Sequence, residues 1–181
     1  MATTKHTLVA LVNDKPGVLN RVVSLFRRRG FNIDSIAVGH SEVQHLSRVT
    51  IIVNGTTYTV EQVRKQLDKL IDVVKIFDIT SEKNTTRELA LVKVKATSAT
   101  RSEILEIADI FRANIVDVAS DTLTIEITGD EDKIESMLKL LKTFGIKEIA
   151  RTGRVAMVRG TLGAPPPEDK PVRSRVKREN A

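Results

Sequence analysis

The residues best suited to binding a small molecule lie between Asp14 and Leu19. Pro16 fixes φ near the helical value and has no N–H, so it suits the first turn of a helix. Gly17 has no Cβ, so a ligand can approach the main chain closely there. The free N–H groups of a first helical turn lie at the positive end of the helix dipole and bind carboxylates or phosphates. The segment therefore predicts an anion site.

Asp14 brings a charge of the opposite sign to the same segment. A carboxylate at this place can cap the helix, or it can accept hydrogen bonds from an ammonium group. An anion receptor beside a carboxylate suits a zwitterion, that is, a free amino acid. The pattern Asp-x-Pro-Gly is also ordinary punctuation between a strand and a helix. The local pattern alone leaves both interpretations open.

The elements around this segment follow an order that repeats once along the chain. Apolar residues alternate in the predicted strands and recur at helical spacing in the predicted helices. The first set comprises strands 6–12, 31–38, 46–53 and 74–79 with helices 16–29 and 59–71, and the second comprises strands 89–95, 115–119, 122–128 and 146–149 with helices 101–111 and 130–144. Two βαββαβ units result, which predicts an α+β chain of two ferredoxin-like domains.

Three segments of the first unit together resemble one family. They are Asp14-x-Pro16-Gly17-Val18-Leu19, then Arg29-Gly30-Phe31-Asn32-Ile33, then Leu46-Ser47-Arg48-Val49-Thr50. The pattern is similar to the regulatory small subunit of acetohydroxyacid (acetolactate) synthase, and the similarity runs from about residue 5 to residue 159. It implies an N-terminal ACT domain (1–80), a linker (81–87), a C-terminal ferredoxin-like domain (88–160) and a basic, Pro-rich tail (161–181).

The resemblance also implies a function. Such a subunit has no activity and no cofactor of its own, and it forms a homodimer through its ACT domains. It binds a catalytic subunit that is expected to use thiamine diphosphate, Mg²⁺ and FAD, raises its turnover, and confers feedback inhibition by valine or another branched-chain amino acid. The effector lies between two ACT modules, and the matching positions are Asp14, Lys15, Pro16, Gly17, Val18, Leu19, Asn32 and Ile33.

Two details of that site are further expectations. Asn32 is expected near a ligand on the Gly17 turn, and the aliphatic lining is expected to include Val18, Ile33 and Ile36. Family members often have Asn at the position of Asp14. The second unit has neither Pro nor Gly in the equivalent loop, 96–100, so ligand binding is assigned to the first unit.

Composition argues against catalysis in this chain. There is no cysteine, which excludes disulfides, zinc–cysteine sites and thiolate nucleophiles. His40, Glu42 and His45 lie close together, but a hairpin loop would have to curl for them to converge on a metal, so a solvated or partner-contacting loop is the preferred interpretation. No glycine-rich dinucleotide or P-loop motif occurs.

The net charge of +6 raises the possibility of nucleic-acid binding. Part of the excess lies in residues 161–181, where five basic residues face three acidic ones in a segment predicted to be disordered. Arg29-Gly30-Phe31 echoes an RNA-recognition motif but lacks its further aromatic residues. The run Arg27-Arg28-Arg29 is interpreted as cations that satisfy a helix C-terminus. An RNA-binding module is the weaker alternative, and a free-standing ACT sensor with another partner is the nearer one.

Location within the cell is predicted from two observations. No apolar run approaches the roughly 18 to 20 residues that cross a bilayer, and residues 1–6 lack the apolar stretch of a signal peptide. We therefore expect a cytoplasmic protein with no membrane contact.

Overall fold

The computed structural model describes residues 4–160, which divide into two compact units. The first unit takes the described residues up to Asn84 together with 158–160, and the second is Thr85–Met157. The elements of the first unit are β1 (Thr4–Asn13), α1 (Val18–Arg29), β2 (Ile33–His40), β3 (Leu46–Gly55), α2 (Thr57–Leu67) and β4 (Val73–Asp78). Its four strands form an antiparallel sheet in the order β2-β3-β1-β4.

The core of the first unit lies between one face of this sheet and the two helices. Alternate residues of β1, namely Leu8, Ala10 and Val12, point to that face because side chains alternate along a strand. The remaining buried members of the cluster are Val18, Val22, Leu25, Phe26, Val49, Ile51, Val53, Val60, Val63, Leu67, Val73 and Ile76. The aliphatic composition therefore builds a core of Val, Leu and Ile with a single phenylalanine fully buried in it.

Local sequence explains two boundaries of the helices in the first unit, the end of α1 and the start of α2. Helix α1 ends at Gly30, whose φ of 68° is in the left-handed region that glycine adopts without strain. Helix α2 begins after Thr56, whose side chain accepts a hydrogen bond from the Thr59 N–H at 3.2 Å. It ends at Leu67, four residues before the predicted end at Ile71.

The second unit repeats the order of elements. They are β5 (Asn84–Lys95), α3 (Arg101–Ile110), β6 (Asn114–Val118), β7 (Thr122–Gly129), α4 (Glu131–Leu141), a 3₁₀ turn (Lys142–Phe144), β8 (Ile146–Arg151) and β9 (Val155–Val158). The sheet order is β6-β7-β5-β8, and β9 also pairs with β5. Ala90, Val92 and Val94 of β5 face Ile104 of α3 and Ile134 of α4 in a separate buried cluster.

The predicted fold class, two ferredoxin-like βαββαβ units, is confirmed, with two local differences. Strand β5 begins at Asn84, so residues 84–87 of the expected linker lie in a strand. Strand β9 was not predicted; it forms because β8 pairs only with the part of β5 from Ala90 to Val94 and leaves the first part of that long strand available. The expected disordered tail, 161–181, lies outside the described residues. Within residues 4–160, no helix has the length and apolar character needed to span a bilayer.

A buried ion pair joins three elements of the second unit. Glu88 of β5 is only 6% exposed and accepts two hydrogen bonds from Arg151 of β8, from Nε and Nη2, each at 2.8 Å. Arg151 Nη1 also donates to Glu135 of α4 at 2.7 Å. The hydrogen bonds to Glu88 raise the pKa of the Arg151 guanidinium, and burial opposes this shift. The pair thus ties both strands to α4.

We predict that Arg151→Leu lowers the free energy of unfolding by about 3 to 5 kcal/mol, because it leaves the buried Glu88 carboxylate without its partner. The matched control is Lys93→Leu, since Lys93 and Glu148 form a pair on the same two strands at 3.5 Å with side chains 42% and 69% exposed. That control should cost less than about 1 kcal/mol. Urea unfolding measures both, and equal losses would contradict the role given to Glu88.

Candidate functional site

The segment that links β1 to α1 is fixed by hydrogen bonds of its main chain. The Asp14 N–H donates to the carbonyl of His45 at 2.8 Å, and the Asn13 N–H donates to that of Asp72 at 2.8 Å. The Val18 N–H donates to the Lys15 carbonyl at 3.3 Å, which closes the turn itself. The turn is therefore held on both sides by neighbouring loops before any ligand is present.

Gly17 gives this turn its shape. Its φ of 84° lies in the left-handed region, and a Cβ built there would meet nothing within 4 Å. The prediction that Pro16 begins the helix is wrong, because the left-handed Gly17 interrupts the helical backbone and α1 begins at Val18. The glycine is needed here for its backbone conformation, and the space above it is open.

The start of α1 keeps unused hydrogen-bond donors. The first helical bond of this end is donated by the Arg21 N–H to the Gly17 carbonyl at 3.1 Å. Among the described residues, the N–H groups of Gly17, Leu19 and Asn20 have no acceptor. Because these donors lie at the positive end of the helix dipole, the turn is chemically suited to an anion.

Asp14 does not cap α1, which has no side-chain cap. Its Oδ2 lies 3.3 Å from Nδ1 of His40, at the end of β2, and the two side chains are 46% and 87% exposed. The hairpin register explains this pairing, since Asn13 lies opposite Leu46 and His40 lies opposite Ser47. The sequence interpretation placed His40 in a solvated or partner-contacting loop, with a metal ligand as the lesser alternative. It missed the pairing with Asp14, although the register of the β2–β3 hairpin would have indicated it.

The other residues of that hairpin loop have separate partners. Glu42 accepts from Arg48 Nη2 at 3.5 Å, and the His45 carbonyl accepts from Asp14 as described above. His45 itself has a φ of 66°, which turns the chain back into β3. No group of three or more His, Asp or Glu side chains arranged for a metal ion occurs within residues 4–160.

Asn32 and Ile33 lie far from the Gly17 turn in the same chain. Helix α1 has 12 residues, which at about 1.5 Å per residue separates its ends by about 18 Å. Asn32 follows the far end, where its Nδ2 donates to Asp34 Oδ1 at 3.3 Å. Within one chain, Asn32 therefore does not reach a ligand on the turn.

The side chains of α1 divide between the core and the surface. Val18 is 3% exposed and belongs to the core cluster, so only its main chain is available to a ligand and its predicted role in an aliphatic lining is wrong. Leu19 and Val23, one turn apart, are 44% and 41% exposed. Ile33 and Ile36 are partly buried against the core. The accessible apolar side chain next to the turn is therefore Leu19.

The structure does not support an RNA-recognition role for Arg29-Gly30-Phe31. Gly30 ends α1, and Phe31 packs against the core cluster before β2 begins at Ile33. The ring is therefore unavailable for stacking on a base, which RNA-recognition sheets require.

The order of elements and the glycine turn define an ACT-type protein with two ferredoxin-like units. Comparison with known proteins agrees with this class. Residues 8–75 match the family described as "AHAS small subunit-like ACT domain", and residues 87–160 match "Small subunit of acetolactate synthase". The two matches together span most of the described chain.

Individual relatives give the same result. A protein of Archaeoglobus fulgidus named "Probable acetolactate synthase small subunit" is 56% identical over 156 residues, which is 86% of this chain and 98% of that protein. The acetolactate synthase small subunit of Mycobacterium bovis is 50% identical over 163 residues, 90% of this chain and 97% of its own. The crystal structure of the Thermotoga maritima small subunit superposes with a TM-score of 0.81 at 44% identity, covering 88% of this chain and 99% of that one.

The chain belongs to the family of acetolactate synthase small subunits, which are regulatory subunits with an ACT domain. A small subunit implies a catalytic subunit as its partner.

We predict that Gly17→Ala destabilises the first unit by about 1 to 2 kcal/mol, the cost of a left-handed conformation for a residue with a Cβ. Gly39→Ala is the matched control, because a Cβ at Gly39 also meets nothing within 4 Å but its φ is not positive. The control should change stability by less than about 0.5 kcal/mol. Thermal unfolding followed by circular dichroism separates the two, and equal stabilities would show that the left-handed turn is not required.

Proposed function

We propose that this chain is a non-catalytic regulatory subunit that activates the acetolactate synthase catalytic subunit and makes it sensitive to feedback inhibition by valine or another branched-chain amino acid. The observation that carries this proposal is the Gly17 turn, with three unused N–H groups at the start of α1 and the Asp14 carboxylate beside them. Membership of the small-subunit family supplies the partner.

The turn supplies both polar contacts of an amino acid. The N–H groups of Gly17, Leu19 and Asn20 receive the effector carboxylate at the positive end of α1. Asp14 accepts hydrogen bonds from the effector ammonium group. His40, 3.3 Å from the Asp14 carboxylate, offers a donor that offsets the repulsion between this carboxylate and that of the effector.

The site is completed by a second copy of the chain. Strand β2 is at the edge of the sheet, and Leu19 and Val23 of α1 are exposed. A two-fold axis beside β2 runs the two α1 helices antiparallel, so the start of one helix meets the end of the other. This arrangement brings Asn32 and Ile33 of one copy to the Gly17 turn of its partner, which a single chain cannot do.

Regulation follows from the shared site. An effector held by two copies binds the assembled pair better than the separated or reoriented one, and this difference is the free energy available to change the catalytic subunit. A coupling of about 1 to 3 kcal/mol is typical and corresponds to roughly a 5- to 150-fold effect. Valine and leucine differ by about one methylene, so selectivity between them amounts to about 1 to 3 kcal/mol.

The hairpin loop between β2 and β3 is a second place where the partner can bind. It includes the exposed His40 and Glu42, and its base is tied to the effector turn through the His45 carbonyl and the Asp14 N–H. We propose that this loop contacts the catalytic subunit, so that a change at the turn is passed directly to the partner.

The function is tested by mixing the purified chain with its cognate catalytic subunit and measuring acetolactate formation with and without valine, leucine and isoleucine. We expect higher turnover on mixing and inhibition by at least one of the three amino acids. Absence of stimulation would leave an ACT-type sensor with another partner as the better interpretation.

The site itself is tested by Gly17→Asp, which places a negative charge over the anion site. We expect inhibition to be lost and stimulation to be kept. Gly17→Asn is the matched control, because Asn has the same shape as Asp, is neutral, and tolerates the left-handed conformation. Valine inhibition in the Asp variant equal to that in the Asn variant would remove the turn from the site.

The pairing of ACT units is tested by Val23→Glu, which puts a charge on the exposed stripe of α1. We expect dissociation into monomers and loss of valine binding, measured by analytical ultracentrifugation and isothermal titration calorimetry. Leu105→Glu on α3 is the control, since Leu105 is 39% exposed and Val23 is 41% exposed. If the Val23→Glu variant remains dimeric, the contact between the two copies does not involve this stripe of α1.

A further inference from the structure

The end of α1 carries a cluster of three cations that form no ion pair within the described residues. Arg27, Arg28 and Arg29 are all exposed. Among residues 4–160, none of the three lies within ion-pair or hydrogen-bond distance of a carboxylate or a carbonyl. We call these three residues the arginine cluster.

The other arginines of the same unit behave differently. Arg21 pairs with Asp72, Arg48 with Glu42 at 3.5 Å, and Arg64 with Glu61 at 2.8 Å. Arg64 holds the pKa of the Glu61 carboxyl at about 2, mainly through their hydrogen bond. These three arginines thus have carboxylate partners within the unit, whereas no described carboxylate, including Asp34 beyond the end of α1, forms an ion pair with the arginine cluster.

The carbonyls at the end of α1 do not need the arginine cluster as hydrogen-bond donors. The Gly30 N–H donates to the Arg27 carbonyl at 3.2 Å, and the Phe31 N–H donates to the Phe26 carbonyl at 3.1 Å. The backbone therefore caps the helix end by itself, as glycine-terminated helices do. The three arginines do lie in the last turn of α1, as predicted, where their charges favour the negative end of the helix dipole. That interaction needs no hydrogen bond, so the guanidinium groups stay available to an external partner.

The spacing of the three side chains indicates the shape of their partner. Consecutive residues of an α-helix are about 100° apart, so the guanidinium groups fan over roughly 200° around the helix end. A single phosphate needs donors that converge on one point. Several separate carboxylates on a protein surface fit three divergent guanidinium groups better than one phosphate does, because each guanidinium can bind its own carboxylate with two hydrogen bonds.

We propose that the arginine cluster is a docking surface for an acidic patch on the catalytic subunit. The inference rests on the proposed function, because it takes the catalytic subunit as the partner. It adds a contact at the end of α1, which is remote from the Gly17 turn of the same chain and, in the proposed pair, lies near the Gly17 turn of the other copy. Exposed ion pairs contribute mainly to the rate of encounter and to orientation.

The test is the affinity of the full chain for its cognate catalytic subunit, measured by surface plasmon resonance at several salt concentrations. We expect the variant Arg27→Gln/Arg28→Gln/Arg29→Gln to bind roughly 10- to 100-fold more weakly near 0.05 M salt. This estimate multiplies a loss of about a few-fold for each of the exposed ion pairs. The difference should vanish near 1 M salt, where the Debye length is about 3 Å. Arg27→Lys/Arg28→Lys/Arg29→Lys should keep most of the affinity and a steep dependence on salt.

The charge control removes the same number of cations elsewhere. Lys139, Lys142 and Lys147 are exposed in the second unit, and Lys139→Gln/Lys142→Gln/Lys147→Gln should leave binding within about 3-fold of wild type, because only long-range attraction is lost. An equal loss in this variant would mean that net charge alone matters, which overturns the inference. Thermal unfolding of every variant checks that the fold is intact. The single variant Arg28→Gln should also bind the catalytic subunit more weakly, by a smaller factor than the triple variant.

Two further outcomes would overturn the proposal. Unchanged affinity and salt dependence in the glutamine variant would remove the docking surface while leaving the proposed function in place, since stimulation by wild type would persist. Loss of valine, ATP or RNA binding by the isolated variant, with subunit affinity unchanged, would assign the arginine cluster to a small-molecule or nucleic-acid site. If the wild-type chain itself does not bind the catalytic subunit, the proposed function fails first.

Discussion

The left-handed backbone at Gly17 is the constraint on which the proposed effector site depends. Because φ is 84° there, α1 cannot begin before Val18, and the N–H groups of Gly17, Leu19 and Asn20 have no acceptor among the described residues. The loops around the turn hold it through the carbonyls of His45 and Asp72. N–H groups that lack an acceptor and are already held in place by folding are suited to bind an anion, because binding then orders little additional structure.

The fold separates the two groups of residues that are assigned to the proposed effector site. An αβ crossover of the ferredoxin-like type places the start and the end of α1 at opposite ends of the sheet, so the turn and Asn32 are separated by the length of a helix. The edge position of β2 and the exposed Leu19 and Val23 offer a surface for a second copy. In the proposed pair, effector binding is linked to assembly, and this link is a physical basis for the proposed regulation.

Charge is distributed unequally between the two ends of α1. Its start combines free N–H groups with the Asp14–His40 pair, whereas its end carries three arginines without partners among the described residues. The start of α1 therefore suits a small zwitterion, whereas the arginines at its end, next to Asn32 and Ile33, suit an acidic surface. In the second unit, by contrast, the charges of Glu88, Arg151 and Glu135 satisfy one another and fasten β5 and β8 to α4.

The two βαββαβ units, the glycine turn after β1 and the end of α1 at Gly30 could be predicted from the residues alone, because hydrophobic periodicity and glycine conformation act over a few neighbouring residues. Other features emerge only in the folded chain: the pairing of β9 with β5, the contact of His40 with Asp14, the burial of Val18, and the separation of Asn32 from Gly17 by a helix length. Each of these depends on strand register and on contacts between residues distant in sequence, which local patterns do not encode.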